Sequence, residues 1–580
     1  MRPAESSDPG FNPAKRFRLR AAIGLLSKPQ LVCLVLLTGG RIAVGFFDLA
    51  LAAAMYLLFV LLQGRAPSHH FAWMPRTVLA ASIAAAALVL LRAFSDFASA
   101  RAVFSQIQTL ATDLMLRLTR GYCDMRWSRY VELNRAAFLH TVAHTTREAA
   151  EFYHRCVEMI ASLVIVLAMT SALVYQSPIA ACALALALAA FYCAHRLIIR
   201  RRVRVAAVMR EESFAALQQD LSGLFAAGKE IRTYQNHDFF YDRIRREAAK
   251  LKTGNLGTVF LPVIARTIAD QGTILLFLGF IVTIQLLRGD TRHLLSLLVF
   301  YFVLSRRLLP LLSQLSLIAG QMEGSLENAR IVDAELARCR AHRADVHPAI
   351  QPEPGTALEL EQVGLTFGNS VSILSNLNFL LREGEITIVH GVSGIGKTSL
   401  LNLISGVQQP TSGRVRVHSA SVSYVPQEIV LLNDTIRNNL LFGLPETCDE
   451  RLMEVLATAR LDEFVAALPC GLETPVGENG AMLSGGERQR LGLARAILRG
   501  NRLMLLDEAT SAIDEDNERR VLNNLAATGI AIVLVTHRRH VEQWADNVYR
   551  LEAGRLIEEN WSGTRAADHC DSSLFEAAEA

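Results

Sequence analysis

Cysteine is present but never in a useful arrangement. Nine cysteines lie singly along 580 residues with no C-x-x-C pair, so neither a disulfide framework nor a zinc site is indicated, and free thiols in a reducing compartment or in lipid are expected. Charge of one sign is also scarce. A formal net charge of +4 gives no general nucleic-acid-binding surface, and no nucleic-acid partner is expected. No H-E-x-x-H or similar spacing surrounds His140 and His144, so those histidines are not expected to hold a metal. Residues 1–30 are basic through Lys15, Arg16, Arg18, Arg20 and Lys28, but the short apolar core and small-residue cleavage site of a signal peptide are missing. An uncleaved cytoplasmic N-terminal segment is expected there, with an amphipathic helix around 11–26.

Apolar residues abound: they make up 51% of the chain, and mean hydropathy is +0.27. That is too greasy for an ordinary soluble protein, so the chain is expected to be partly embedded in a lipid bilayer. Apolar runs at 31–62, 78–97, 157–175, 179–199, 258–287 and 294–319 each approach or exceed the roughly 20 residues of a spanning helix, so six spans are expected. Arg101, Arg117, Arg120, Arg126 and Arg129 follow the second run. Arg196, Arg200, Arg201, Arg202, Arg204 and Arg210 follow the fourth. This bias puts both long connections and both termini on the cytoplasmic side of the cell inner membrane. The connections, 98–156 and 200–257, have few prolines or glycines and read as spanning helices continued into the cytoplasm, with hairpin turns at 127–134 and 222–229.

Charged residues inside these runs are costly in lipid. Arg41, Asp48, Arg266, Asp270, Arg306 and Arg307 are therefore expected to face a cavity or one another. Arg266 and Asp270, four apart, fit an intrahelical ion pair equally well. The stripe His140, His144, Glu151, Arg155 and Glu158 suggests a polar transport lining, but most of it is expected on a cytoplasmic extension of the third span, where a solvated or inter-subunit face is the favoured account. Pro310 is expected to kink the sixth span.

Past the membrane-type region, 31–334, the residues of 335–357 lose apolar periodicity and read as a linker. From 358 to 580, strand-like runs alternate with helices, the pattern of an α/β domain. Within it Ile386–Val389 runs straight into Gly391, Val392, Ser393, Gly394, Ile395, Gly396, Lys397, Thr398 and Ser399. This fits G-x-x-x-x-G-K-[ST], in which glycines let backbone N–H groups wrap a phosphate chain. Lys397 is placed to reach the β- and γ-phosphates, Thr398 to hold Mg2+, and a helix over 397–404 to add its positive end. Taken alone, a Gly-rich turn is the competing account.

Further signals follow in order: Tyr424-Val425-Pro426-Gln427 after a strand; Leu483-Ser484-Gly485-Gly486-Glu487 opening a helix; Leu503 to Leu506 as a strand ending in Asp507 and Glu508; Ser511 to Asp514; and Ile530 to Thr536 as a strand ending at His537. Together these resemble the ABC transporter nucleotide-binding domain. With the six spans, the chain resembles an exporter-type half-transporter: a multidomain membrane protein with an all-α six-helix transmembrane domain followed by an α/β P-loop ATPase domain. The resemblance implies ATP and Mg2+ as cofactors and a second copy as partner. Phe367 takes the place of the adenine-stacking aromatic, usually a tyrosine. Asp507 holds Mg2+ with Thr398 and Gln427, and Glu508 polarises the attacking water. His537 contacts the γ-phosphate, with Lys397 completing the catalytic set. Ser484, Gly485, Gly486 and Glu487 complete the other subunit's site, and Asp514 links the two sites. Residues 474–480 resemble the exporter-specific loop that contacts cytoplasmic helices, which makes the hairpins at 127–134 and 222–229 coupling helices. The stretch from Lys397 to Gln427 is shorter than usual, with the insert after Gly413 trimmed to 415–420.

The function implied is ATP-driven export across the cytoplasmic membrane by alternating access, carried out by a homodimer with two intact sites. The N-terminal segment leaves no room for a leader-peptidase domain. A small matured antibacterial peptide of microcin or lasso type is the favoured substrate class. A lipid or multidrug exporter is the alternative, and an ATP-gated channel or regulator the alternative of another class.

Overall fold

The computed structural model describes residues 24–62, 77–176, 201–260, 291–344, 355–367, 371–417 and 422–559, with scattered positions between 263 and 282. Two units divide the chain. One comprises Met1–Met125 and Leu133–His342, the other Arg126–Glu132 and Arg343–Ala580.

The first unit is helical. Its elements are α1 (Lys28–Leu62), α2 (Val78–Cys123), α4 (Arg135–His140), α5 (Thr146–Gln176), α6 (Arg201–Ala226), α7 (Gly228–Tyr234), α8 (His237–Asn255) and α9 (Thr291–Ala341), while α3 (Trp127–Tyr130) belongs to the second unit. Among the described residues three helical stretches are long and apolar enough to cross a membrane: Lys28–Leu62, Val78–Cys123 and Ala137–Tyr175. The run at 179–199 and most of that at 258–287 lie outside the described residues, and the run at 294–319 falls within α9, which contains Pro310. With 46 residues in α2 and 51 in α9, these helices extend to about 70 Å or more, against a hydrocarbon core of roughly 30 Å. Each is thus longer than one crossing of that core needs. Val103, Ile107, Leu110 and Leu114 form one buried stripe of α2, packed against Phe152 and Tyr153 of α5 and Val332 of α9, the three-and-four spacing of an amphipathic helix.

Arg41 and Asp48 stand two turns apart on α1, too far to pair with each other. Arg41 instead meets Asp96 of α2 at 2.8 Å and Glu158 of α5 at 2.9 Å, and Asp48 pairs with Arg92 of α2. Glu158 also accepts a hydrogen bond from Gln314 of α9, and Arg155 donates to the Gln321 carbonyl and to Ser325. These two stripe residues therefore bind neighbouring helices of their own unit. Arg266, Asp270 and the side chains of Arg306 and Arg307 lie outside the described residues.

One boundary differs from expectation. α9 continues to Ala341, into the stretch expected as linker, because Leu336 and Cys339 pack beside Leu118 and Tyr122, and Tyr122 donates to Glu335. At the second expected hairpin, α6 ends at Ala226 and Ala227 leaves the helical conformation, within 222–229; after the short α7 a second break follows at Gln235, which adopts the left-handed φ of 57°. Residues Arg126–Glu132, at the first expected hairpin, belong to the second unit, where Arg126 donates to the Arg343 carbonyl at 3.2 Å.

The second unit holds two sheets. Strands β1 (Thr356–Phe367), β2 (Val371–Arg382) and β4 (Ser412–Val417) form an antiparallel sheet in the order β2-β1-β4. The shortened region thus still supplies an edge strand, and residues 418–421 lie outside the described residues. The other sheet runs β5-β6-β7-β3-β8-β9, from β3 (Ile386–His390), β5 (Ser423–Val425), β6 (Leu503–Asp507), β7 (Ala531–Val535), β8 (Asn547–Glu552) and β9 (Arg555–Glu558), parallel except for the β8-β9 pair. β6 and β7 are buried along their whole length, as strands covered on both faces must be.

Alternate residues divide between two cores. Ile388, Met504, Leu506, Ile532 and Leu534 face one side, while Val389, Leu503, Leu505, Val533 and Val535 face the other. The second side packs on β1, β2 and helix α10 (Lys397–Ile404). The first packs on α11 (Ile436–Leu441), α12 (Asp449–Thr458), α13 (Asp462–Ala467), α14 (Gly485–Leu498) and α15 (Glu515–Ala527).

Leu505 is fully buried in the centre of this sheet. Leu505→Ala is expected to destabilise the second unit by about 2–5 kcal/mol, read as a lowered Tm of its unfolding transition in the full chain.

Candidate functional site

β3, β6 and β7 lie side by side in register, Val389 opposite Val535 and Val535 opposite Asp507. Their carboxyl ends therefore open at one level, where ligands of parallel α/β sheets bind. The phosphate loop leaves β3 after His390 and turns into α10. Gly394 and Gly396 take φ of 80° and 112°, and a Cβ on Gly396 would stand 2.7 Å from Ile373 Cγ2, so only glycine fits. Val392, Ser393 and Gly394 are exposed on the loop, and Ile395 and Ser399 half-buried.

Lys397 opens α10 and folds back over the loop. Its ammonium donates to the Gly391 carbonyl at 2.6 Å and lies 2.9 Å from His537 Nε2. Burial holds its pKa below the ordinary lysine value, against the opposing pull of Glu508 and Asp507. Thr398 donates to Asp507 Oδ2 at 2.9 Å, and the Tyr424 hydroxyl donates to the same oxygen at 3.3 Å. Burial pushes the Asp507 carboxyl up, while these two hydrogen bonds pull it down. A hydroxyl and a carboxylate at the loop's mouth are the hard oxygen donors that Mg2+ prefers.

Glu508 follows β6 in a left-handed conformation, φ 50°, its N–H tied to the Val535 carbonyl. That conformation costs a non-glycine residue roughly 1–2 kcal/mol. It turns the carboxylate toward Gln427, which donates to Oε2 at 3.0 Å, and toward His537, whose Nε2 is 2.9 Å from Oε1. The same nitrogen faces the Lys397 ammonium. It cannot accept from Lys397 and donate to Glu508 at once, so the position of one proton decides which neighbour it binds.

The structure thus brings together Lys397, Thr398, Gln427, Asp507, Glu508 and His537. The other expected residues stand in local arrangements. Ser484 caps α14 reciprocally with Glu487: the Ser484 N–H donates to the Glu487 carboxylate at 2.7 Å, and the Glu487 N–H to the Ser484 hydroxyl at 3.3 Å. Gly485 starts that helix, and a Cβ on Gly486 would press on the Ala512 carbonyl at 3.0 Å. Asp514 caps α15 through Asn517, whose hydrogen bonds hold its carboxyl below the usual range. Phe367 ends β1, and its side chain lies outside the described residues.

Several contacts carried no sequence signal. Tyr424 reaches Asp507 only because β5 pairs with β6. Gln489 spans from α14 to Ser511 and the Ala512 N–H. Arg538 binds the Ser511 and Ile513 carbonyls and the buried Glu518. Its place beside His537 was the one available hint.

A phosphate loop, a paired hydroxyl and carboxylate, and a glutamate-histidine pair on one edge of a parallel sheet define a P-loop nucleotide-binding domain. Residues 374–511 match the ABC transporter family. The mycobactin import ATP-binding/permease protein IrtB of Mycolicibacterium thermoresistibile is 41% identical over 217 residues, 35% of this chain and 37% of that protein. The ATP-dependent lipid A-core flippase of Bordetella pertussis is 32% identical over 358 residues, 58% of this chain and 56% of that protein. The matched stretches thus span between a third and somewhat over half of these relatives' lengths. A solved bacterial Atm1-family ABC exporter with ATP bound shares the fold at a TM-score of 0.69 and 19% identity, over 90% of this chain and 95% of that one. The chain thus carries an ABC transporter domain and shares the fold of that exporter structure.

Because the raised pKa of Asp507 means that ionisation costs the folded state, Asp507→Asn is expected to raise the Tm of the nucleotide-free protein near neutral pH. The gain should shrink as pH falls through that pKa, where the wild-type carboxyl is already protonated. Thermal melts with chelator across pH check it; a variant less stable than wild type at neutral pH would refute the sign.

Proposed function

We propose that the chain is one half of an ATP-driven membrane transporter that hydrolyses ATP against a second copy of itself. The observation that carries this is the convergence of Lys397, Thr398, Gln427, Asp507, Glu508 and His537 on one sheet edge. When bound, Mg2+ neutralises charge on the β- and γ-phosphates. Thr398 and Asp507 are the residues that would hold it, with Gln427 sensing metal and water. The phosphate loop and Lys397 bind the phosphate chain. Glu508 polarises the attacking water and takes its proton, and His537, its Nε2 within reach of both Glu508 and Lys397 and bound to one at a time, orders that pair. Phe367 stacks on the adenine.

Ser484, Gly485, Gly486 and Glu487 offer a capped helix N-terminus to the partner's γ-phosphate, and Asp514 links the two sites. The exposed apolar residues Phe225, Phe239, Tyr241, Val259 and Phe260 along α6, α8 and the turn after it fit burial against a second copy or lipid. The short helix α3 and the α7 segment act as coupling helices, relaying closure of the ATPase dimer to an alternating-access membrane domain of six spans in the inner membrane, with both termini cytoplasmic.

For the substrate, a lipid-like amphiphile is favoured over a matured peptide. The relatives are named for mycobactin import and a lipid A-core flippase, and neither name supports a peptide. One relative is named for import, so direction has to be measured as well.

In proteoliposomes, ATP should drive accumulation of a labelled amphiphile on one side. Glu508→Gln should cut hydrolysis by about 100-fold or more while leaving ATP binding, and Lys397→Ala should lose binding as well. Peptide accumulation would restore the peptide reading, and ATP-dependent dissipation of a gradient would favour a channel.

A further inference from the structure

β3 and β7 keep register up to Val389 and Val535 and then part, one toward the phosphate loop and the other toward His537. Their last backbone link, from the Thr536 N–H to the Val389 carbonyl, is stretched to 3.4 Å. The His390 side chain spans the opening. Its Nδ1 donates to the Thr536 carbonyl at 2.9 Å, and its Nε2 stands 3.0 Å from Glu542 Oε1, with the imidazole 13% exposed. That second approach is off the line of a hydrogen bond.

A carbonyl only accepts, so Nδ1 is the donor in the Thr536 bond. Arg550, opposite His390 on β8, is engaged with Glu552 and Glu559. Thr536 is held on its far side too, where its hydroxyl accepts from the Arg538 N–H at 3.0 Å. The His390 ring thus adds a side-chain tie from the end of β3 to the peptide that carries His537.

We infer that His390 is a positioning residue for ATP hydrolysis: its ring ties the end of β3, where the phosphate loop begins, to the Thr536 carbonyl and so sets His537 against Lys397 and Glu508. This rests on the reading of the site as an ATPase. His390 touches none of the reacting groups, so its loss should act on turnover and not on nucleotide binding.

The test is ATP hydrolysis by the full chain in nanodiscs, for wild type, His390→Val and His390→Gln. His390→Val should lower kcat about tenfold with KM for ATP within about twofold. His390→Gln, which keeps a donor for Thr536, should recover much of that rate. Wild-type kcat in His390→Val would overturn the inference. So would equal loss of binding, turnover and Tm in that variant with no recovery in His390→Gln. A wild-type chain that hydrolyses no ATP overturns the ATPase reading together with the inference.

Discussion

The parallel register of β3, β6 and β7 is the constraint on which the site depends. Each strand ends in a different chemical group: a phosphate loop, a pair of carboxylates, and a histidine. Parallel pairing places all three ends at one level, and burial of both sheet faces keeps that level from shifting. A slip of one residue in β6 would turn Leu505 from one core to the other and carry Asp507 away from Thr398. The two apolar cores therefore act on the chemistry through register.

Above the sheet, charge is arranged with little slack. Lys397 is drawn below its usual pKa by burial while two carboxylates pull the other way, and Asp507 is pushed up while a hydroxyl and a phenol stabilise its anion. The cation is held by the Gly391 carbonyl and faces His537, and the anion is held by Thr398 and Tyr424, so each partly desolvated charge has its own polar partners. The left-handed Glu508 is strain kept at that place, fixed by the Val535 carbonyl beneath it.

In the helical unit the same rule operates in a poorer solvent. Arg41, Asp48, Arg92, Asp96 and Glu158 would each be expensive in lipid, and the structure joins them across α1, α2 and α5. An arginine between two carboxylates holds three helices in a fixed rotation. Its partners come from residues 55 and 117 positions along the chain, which no local pattern announces.

By itself the sequence determined the parts that depend on local chemistry. The phosphate loop, the strand before it, α10, the capped start of α14 and the carboxylate-ended β6 were legible because each needs particular residues at fixed short spacing: glycine where φ is positive, serine and glutamate three apart, apolar runs closed by a charge. Only the tertiary structure decided what depends on distant strands and helices meeting. Tyr424 on Asp507, Arg538 on the Ser511 and Ile513 carbonyls, His390 across β3 and β7, and Arg41 between Asp96 and Glu158 are such cases. So is the continuation of α9 to Ala341, where packing of Leu336 and Cys339 outweighed a weak local pattern. The physical reason is the same throughout: a hydrogen bond or ion pair acts over about 3 Å in space, and sequence spacing fixes that distance only within a turn or two of backbone.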